Sequence, residues 1–145
     1  MIMEIKLPRR EYRYEIDKNG KEKLVYSCQY HVVFCTKYRR SILEERIANR
    51  LKQLIEGEQA NLDYKIIDMD IKPDYVHLVL DVNPKEGIYD VIGHIKRYSS
   101  STLRREFPEL KKRLPSTWTN SSFISSIGLM DMRVIVNYIE SQKGK

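Results

Sequence analysis

The stretch YKIIDMDIKPDYVHLVLDV, residues 64–82, decides the fold. Residues 64–71 alternate as a strand, Lys72-Pro73-Asp74 is a tight-turn signal, and residues 75–82 read as a second strand. In that second strand Val76, Leu78, Leu80 and Val82 make one fully apolar face, and Tyr75, His77, Val79 and Asp81 make the other. The apolar face belongs against helices. Tyr75 and His77 therefore belong on the opposite, open side of the sheet.

Working outward, LVYSCQYHVVFCT (24–36) is β-branched, aromatic and long enough for a strand. It carries Cys28, Tyr30, Val32 and Phe34 on one face, and Gln29, His31, Val33 and Cys35 on the other. SILEERIANRLKQLIEGEQAN (41–61) reads as an amphipathic helix, with Ser41 as N-cap and Ile42, Leu43, Ile47, Leu51, Leu54 and Ile55 at helical spacing. GIYDVIGHIKRYSSSTLRREF (87–107) is a second helix, whose Ile88, Val91, Ile92, Ile95 and Leu103 face a core. KKRLPSTWTN (111–120) reads as a loop, and SFISSIG (122–128) as a short strand ending at Gly128. MDMRVIVNYIESQ (130–142) is a last helix with Met132, Ile135 and Ile139 as an apolar stripe and Val134 on its flank. The order is strand, helix, strand, strand, helix, strand. That is the α+β, ferredoxin-like (RRM-like) βαββαβ antiparallel sheet, with an additional C-terminal helix carrying a tyrosine. Residues 1–23 read as a charged N-terminal arm, with a turn signal at DKNGKE (17–22), and residues 24–145 as a single domain.

The 145 residues carry a net charge of +6 and a pI of about 9.3, which suits nucleic acid or an acidic surface as partner. No apolar run approaches the roughly 20 residues a membrane helix needs. Two cysteines, Cys28 and Cys35, point to a reducing compartment, with the cytoplasm as the default. They do not make a zinc site with His31, because strand parity turns Cys28 away from His31 and Cys35.

His77 has two readings on pattern alone: a hydrogen-bonded surface or interface histidine, or a metal ligand or general base. Tyr138 and Gln142, one helical turn apart, point the same way. Tyr138 is either the rim of the core face or a nucleophile, and a phenol attacking phosphate needs a nearby cation or base. TKYRR (36–40) and KRYSSSTLRRE (96–106) mix basic residues with Tyr and Ser, which position phosphates and stack bases. The sheet lacks the RNP1 pattern of an RNA-recognition module.

Four segments come in a familiar order and spacing: VYSCQYHVVFCTKYRRSIL (25–43), KPDYVHLVLDVNP (72–84), LPSTWTNSSFISSIG (114–128) and VNYIESQ (136–142). The chain resembles the TnpA-type single-tyrosine HUH transposases of the IS-two-hundred/six-hundred-and-five group, over about residues 24 to 142. The resemblance implies a homodimer with a merged sheet and a Mg²⁺ or Mn²⁺ cofactor. It also implies a prokaryotic, cytoplasmic enzyme that cleaves and rejoins single-stranded DNA at insertion-sequence ends bearing subterminal hairpins. Tyr138 matches the nucleophile that forms a 5′-phosphotyrosine link. His77 matches the second histidine of the motif, and Gln142 the glutamine that helps bind the metal. Lys37, Arg39, Arg40, Lys96, Arg97, Arg104 and Arg105 would serve the hairpin and flanking strand.

One departure matters. The family motif is His-hydrophobic-His, and this chain has Tyr75-Val76-His77. Three readings follow. Metal is held weakly by His77, Gln142 and water; or an open-face neighbour such as His31 or Asp81 supplies a ligand; or cleavage is weakened or lost and hairpin binding remains.

Overall fold

The computed structural model describes residues 12–127 and 132–145. Its strands are β1 (Arg13–Ile16), β2 (Glu22–Tyr26), β3 (Gln29–Cys35), β4 (Tyr64–Lys72), β5 (Tyr75–Val82) and β6 (Phe123–Ser126). Its helices are α1 (Glu45–Gly57), α2 (Gln59–Leu62), α3 (Ile88–Glu106), α4 (Glu109–Arg113) and α5 (Met132–Ser141). The four strands β4-β5-β3-β6 lie in that order, every pair antiparallel, which is the expected ferredoxin-like sheet. Val32 and Phe34 of β3, with Val76, Leu78, Leu80 and Val82 of β5, face α1 and α3 in one apolar core. Burying a side chain of the size of Leu78 or Leu80 contributes about 1.5–3 kcal/mol. Trp118 closes the core edge-on against Phe34, and its indole N–H donates to Ser99 Oγ.

Several boundaries differ from the sequence expectation. The strand foreseen over 24–36 is broken at Ser27 and Cys28, because the Cys28 N–H turns to Asp81 Oδ1 and its carbonyl accepts from Val82 N–H. The residues before the break pair with β1 as a hairpin, so the boundary drawn at residue 23 falls inside β2. Arg13 and Glu15 tie that hairpin to the sheet through Asp63, Asp81, Asn83 and Lys85. Ser41 does not cap α1, which starts at Glu45. Ile42 and Leu43 are buried, and the Leu43 N–H bonds the Pro73 carbonyl, so this segment is anchored to the β4–β5 turn. Part of the loop foreseen at 111–120 coils as α4. Gly128 and the first two residues foreseen in the last helix lie outside the described residues. Among the described residues no helix is long and apolar enough to cross a membrane.

Candidate active site on the open face of the sheet

The face of the sheet turned away from α1 and α3 is partly covered by α5. Ile135 and Ile139, one turn apart, bury against Val33 and Cys35 of β3, with Tyr75, Phe123 and Tyr138 packed around them. Met132, expected in this stripe, is exposed, as are Val134 and Val136. α5 rests chiefly on β3, so Ile135 and Ile139 are the residues that reach buried positions.

Tyr138 is half-buried. Its ring tilts against Phe123 with centroids 5.4 Å apart, and its hydroxyl donates to Ser121 Oγ at 2.8 Å. Burial raises the phenol's pKa and the Ser121 bond opposes that rise. The loop carrying Ser121 is held from the helical side by Lys96. Its Nζ donates to the Thr119 and Ser121 carbonyls at 2.8 and 3.0 Å and to Ser122 Oγ at 3.0 Å. Burial brings this ammonium's pKa down to about 8. Lys96 thus sits within the fold, fixing the loop that bears the Tyr138 hydroxyl's partner.

His77 stands opposite Val33, which stands opposite Phe123 on the next strand. At about 4.8 Å per strand, roughly 10 Å of sheet separates His77 from the strand under Tyr138. Its nearest ring is His31: Nδ1 of His31 lies 3.0 Å from Nε2 of His77, the rings stacked 5.3 Å apart. Burial lowers both imidazole pKa values, while Asp68 and Asp70 pull that of His77 the other way. Asp81, the other candidate neighbour, is consumed. Its carboxylate accepts from the Cys28 N–H and its carbonyl from Arg13. Tyr75, opposite Cys35, packs against the apolar cluster under α5. Gln142 is only 4% exposed, and its amide oxygen is buried with no hydrogen-bond partner, an arrangement that calls for a ligand or water.

Among the described residues no three His, Cys, Asp or Glu side chains cluster to enclose a metal. The available donors are two imidazoles and an orphaned amide oxygen. Such a sparse set fits a divalent ion that keeps much of its own water.

The seven expected DNA-binding cations divide. Arg40, Arg97 and Arg105 are exposed, and Lys37 is half-exposed with its ammonium 5.0 Å from the Tyr38 ring. Arg39 is committed to Asp74, through Nε at 3.1 Å and Nη2 at 2.8 Å, and also reaches Glu140 of α5. Arg104 donates to the Leu114 carbonyl, and Lys96 is engaged as above. Between α3 and residues 116–122 runs a groove of about 510 Å³, lined by Tyr89, Arg97, Ser100, Thr117 and Asn120 among others. Tyr89 is 78% exposed there. Arg97 folds back over Gly93, where a Cβ would stand 3.1 Å from its Nη1. Sequence reasoning missed Ser121 and the internal role of Lys96, for which no motif exists. His31 was legible, since strand parity put it on the face of His77.

The profile of the family described as "Transposase IS200 like" matches residues 24–142. The chain is 32% identical over 123 residues to the ISDra2 transposase TnpA of Deinococcus radiodurans, covering 83% of this chain and 88% of that protein. It is 28% identical over 123 residues to the transposase for insertion sequence element IS200 of Salmonella typhimurium, covering 81% of this chain and 78% of that one. A crystal structure of a candidate transposase from Deinococcus radiodurans R1 superposes with a TM-score of 0.78 at 28% identity, over 85% of this chain and 96% of that one. A REP-associated tyrosine transposase bound to a REP hairpin shares the fold, with a TM-score of 0.55 at 16% identity, over 90% of this chain and 68% of that one. The chain belongs to the IS200-like transposase family.

Proposed function

We propose that the protein cleaves and rejoins single-stranded DNA at the ends of an insertion sequence, with Tyr138 as nucleophile and a subterminal hairpin as the recognition element. The observation that carries this reading is Tyr138 itself. It is the half-buried phenol of a helix lying on the sheet face that also bears His77, with Ser121 holding its oxygen. In the reaction the Tyr138 oxygen bonds to the scissile phosphorus and loses its proton. The phosphorus–O3′ bond breaks, and the departing oxygen takes up a proton as a free 3′-OH. One phosphodiester is exchanged for another, so the link can be reversed by a second 3′-OH without ATP. His77 and Gln142 would hold Mg²⁺ or Mn²⁺, which when bound would polarise the scissile phosphate. Ser121 orients the phenol oxygen, and Phe123 fixes the plane of its ring.

Lys37, Arg40, Arg97 and Arg105 are the cations that present charge to DNA, and the groove beside Ser121 adds an exposed aromatic and hydroxyls. A homodimer is supported by β6, an edge strand that among the described residues pairs with β3 alone. The outward apolar residues Met132, Val134 and Val136 of α5 support it too.

A second reading is a hairpin-binding protein with weakened or no cleavage. It is favoured by Tyr75 in the place of a histidine, and by the Tyr138 hydroxyl lying at Ser121 rather than at His77. One assay separates the two. The protein is incubated with a single-stranded element end carrying its hairpin, with Mn²⁺ or Mg²⁺, and resolved on a denaturing gel. A covalent adduct absent from Tyr138→Phe supports the transferase. Tight hairpin binding without an adduct supports the binder.

A further inference from the structure

We infer that His31 supplies the ligand that Tyr75 no longer can: His31 and His77 together hold one first-row divalent ion on the open face of the sheet, Mn²⁺ in preference to Mg²⁺. The inference deepens the proposed function and rests on its metal requirement, but it can be tested without DNA.

Geometry is the first argument. Adjacent ligands of an octahedral ion with bonds of about 2.1 Å stand roughly 3.0 Å apart. His31 Nδ1 and His77 Nε2 are already 3.0 Å apart. Their backbones are fixed by the β3–β5 register, in which Val33 faces His77 and Val79 faces His31. Exchanging the hydrogen bond between them for an ion asks for rotation of rings, not for movement of strands. The second argument is elimination. Asp81, the other open-face neighbour, spends its carboxylate on Cys28. Tyr75 packs in the apolar cluster of Val33, Cys35, Ile135 and Ile139. The third is charge: Asp68 and Asp70 of β4 act electrostatically on His77, and Asp70 lies directly opposite it in register. Negative charge beside two imidazoles favours a cation there. Imidazole is a softer donor than the carboxylate and water oxygens Mg²⁺ prefers, which sets the order of the two metals. The remaining coordination positions fall to the orphaned amide oxygen of Gln142, to water and, with DNA bound, to phosphate oxygens.

The test is a titration of the DNA-free full-length protein with Mn²⁺ alone, followed by calorimetry and by loss of the free-ion EPR signal. The wild type is expected to bind one ion saturably, with Mg²⁺ competing poorly. His31→Ala and His77→Ala are each expected to weaken binding by about tenfold or more. Tyr75→Phe is expected to leave the affinity within about twofold. Circular dichroism checks folding, and His31→Gln serves if the alanine variant fails to fold. Wild-type affinity in His31→Ala or His31→Gln, or no saturable binding by the wild type, overturns the inference. Adduct formation keeps the two levels apart. Mn²⁺ bound through His31 with no adduct sinks the proposed reaction and leaves the metal pair standing. An adduct in His31→Ala with unchanged Mn²⁺ dependence sinks the metal pair and leaves the reaction standing.

Discussion

The hydroxyl of Tyr138 bonds Ser121 Oγ at 2.8 Å, and the backbone of Ser121 is in turn held by Lys96 at 3.0 Å. The Tyr138 side chain on one face of the sheet is therefore positioned by a lysine on the helix that covers the other. The link runs around the sheet edge at β6, through the loop that precedes that strand.

Tyr138→Phe removes one hydrogen bond and is expected to cost about 1 kcal/mol of stability while abolishing the covalent adduct. Ser121→Ala tests positioning. The Ser121 bond lowers the phenol's pKa against the rise caused by burial, so its loss makes the phenol harder to ionise. The pH profile of adduct formation is expected to move toward alkaline pH in Ser121→Ala, with hairpin affinity unchanged. A profile that stays in place would show that Ser121 is only a packing neighbour.

Lys96 predicts a pH dependence of stability. Its folded pKa, about 8, lies below the ordinary value of 10.5, so between these limits the unfolded chain binds more protons than the folded one. Stability from this group therefore rises as pH climbs from about 8 toward 10.5, and is lowest below that window, where the ammonium is charged in both states. Urea unfolding at pH 7.5, 9 and 10 should show the trend, and Lys96→Met should flatten it. Lys96→Met should also slow adduct formation, because the Ser121 loop loses three anchoring bonds.

The arginines of one basic run should behave differently. Asp74→Ala leaves the Arg39 guanidinium, only 18% exposed, without its main partner, and is expected to cost about 1–3 kcal/mol. Arg40→Ala and Arg97→Ala should stay within about 0.5 kcal/mol of wild type. Each should instead weaken single-strand binding and reduce its log–log salt slope by about 0.7. Thermal melts and anisotropy titrations at several salt concentrations read both effects. A reversed pattern would reassign Arg39 to the DNA surface.

The groove along α3 gives a fourth outcome. Tyr89→Ala should weaken binding of an unstructured oligonucleotide by about tenfold if a base stacks on the exposed ring. Gly93→Ala puts a methyl against Arg97 Nη1, the end of a flexible side chain that can give way. Helix propensity then favours the variant by up to about 1 kcal/mol. The expected result is a higher melting temperature with weaker oligonucleotide binding. Unchanged binding in both variants would take the groove out of the DNA path.

The sheet was legible because β5 carries a clean period of two and follows β4 across the short Pro73-Asp74 turn, although β4 itself shifts register at a bulge between Ile66 and Asp68. Parity alone put His77 on the open face and Val76, Leu78 and Leu80 against the helices, and it put His31 on the face of His77. What parity does not carry is distance between strands. Whether His31 lies beside His77 depends on a register shift of two residues between β3 and β5, and one-dimensional pattern is blind to that shift. The start of α1 was misplaced for a similar reason. Ser41 has the chemistry of a cap, but the backbone there is claimed by the β4–β5 turn through Pro73.

The basic residues show the limit most clearly. In sequence Arg39 and Arg40 are equivalent, as are Lys96 and Arg97. In the fold one of each pair is bound to internal partners and the other faces solvent. The family and the strand order follow from the sequence by itself, as does the candidacy of Tyr138, His77 and Gln142, because they rest on local pattern and residue type. The tertiary structure alone decided which cations are spent inside the fold and that Ser121 holds the Tyr138 hydroxyl. It also decided that His31 stands 3.0 Å from His77, since each of these is a contact between residues distant in the chain.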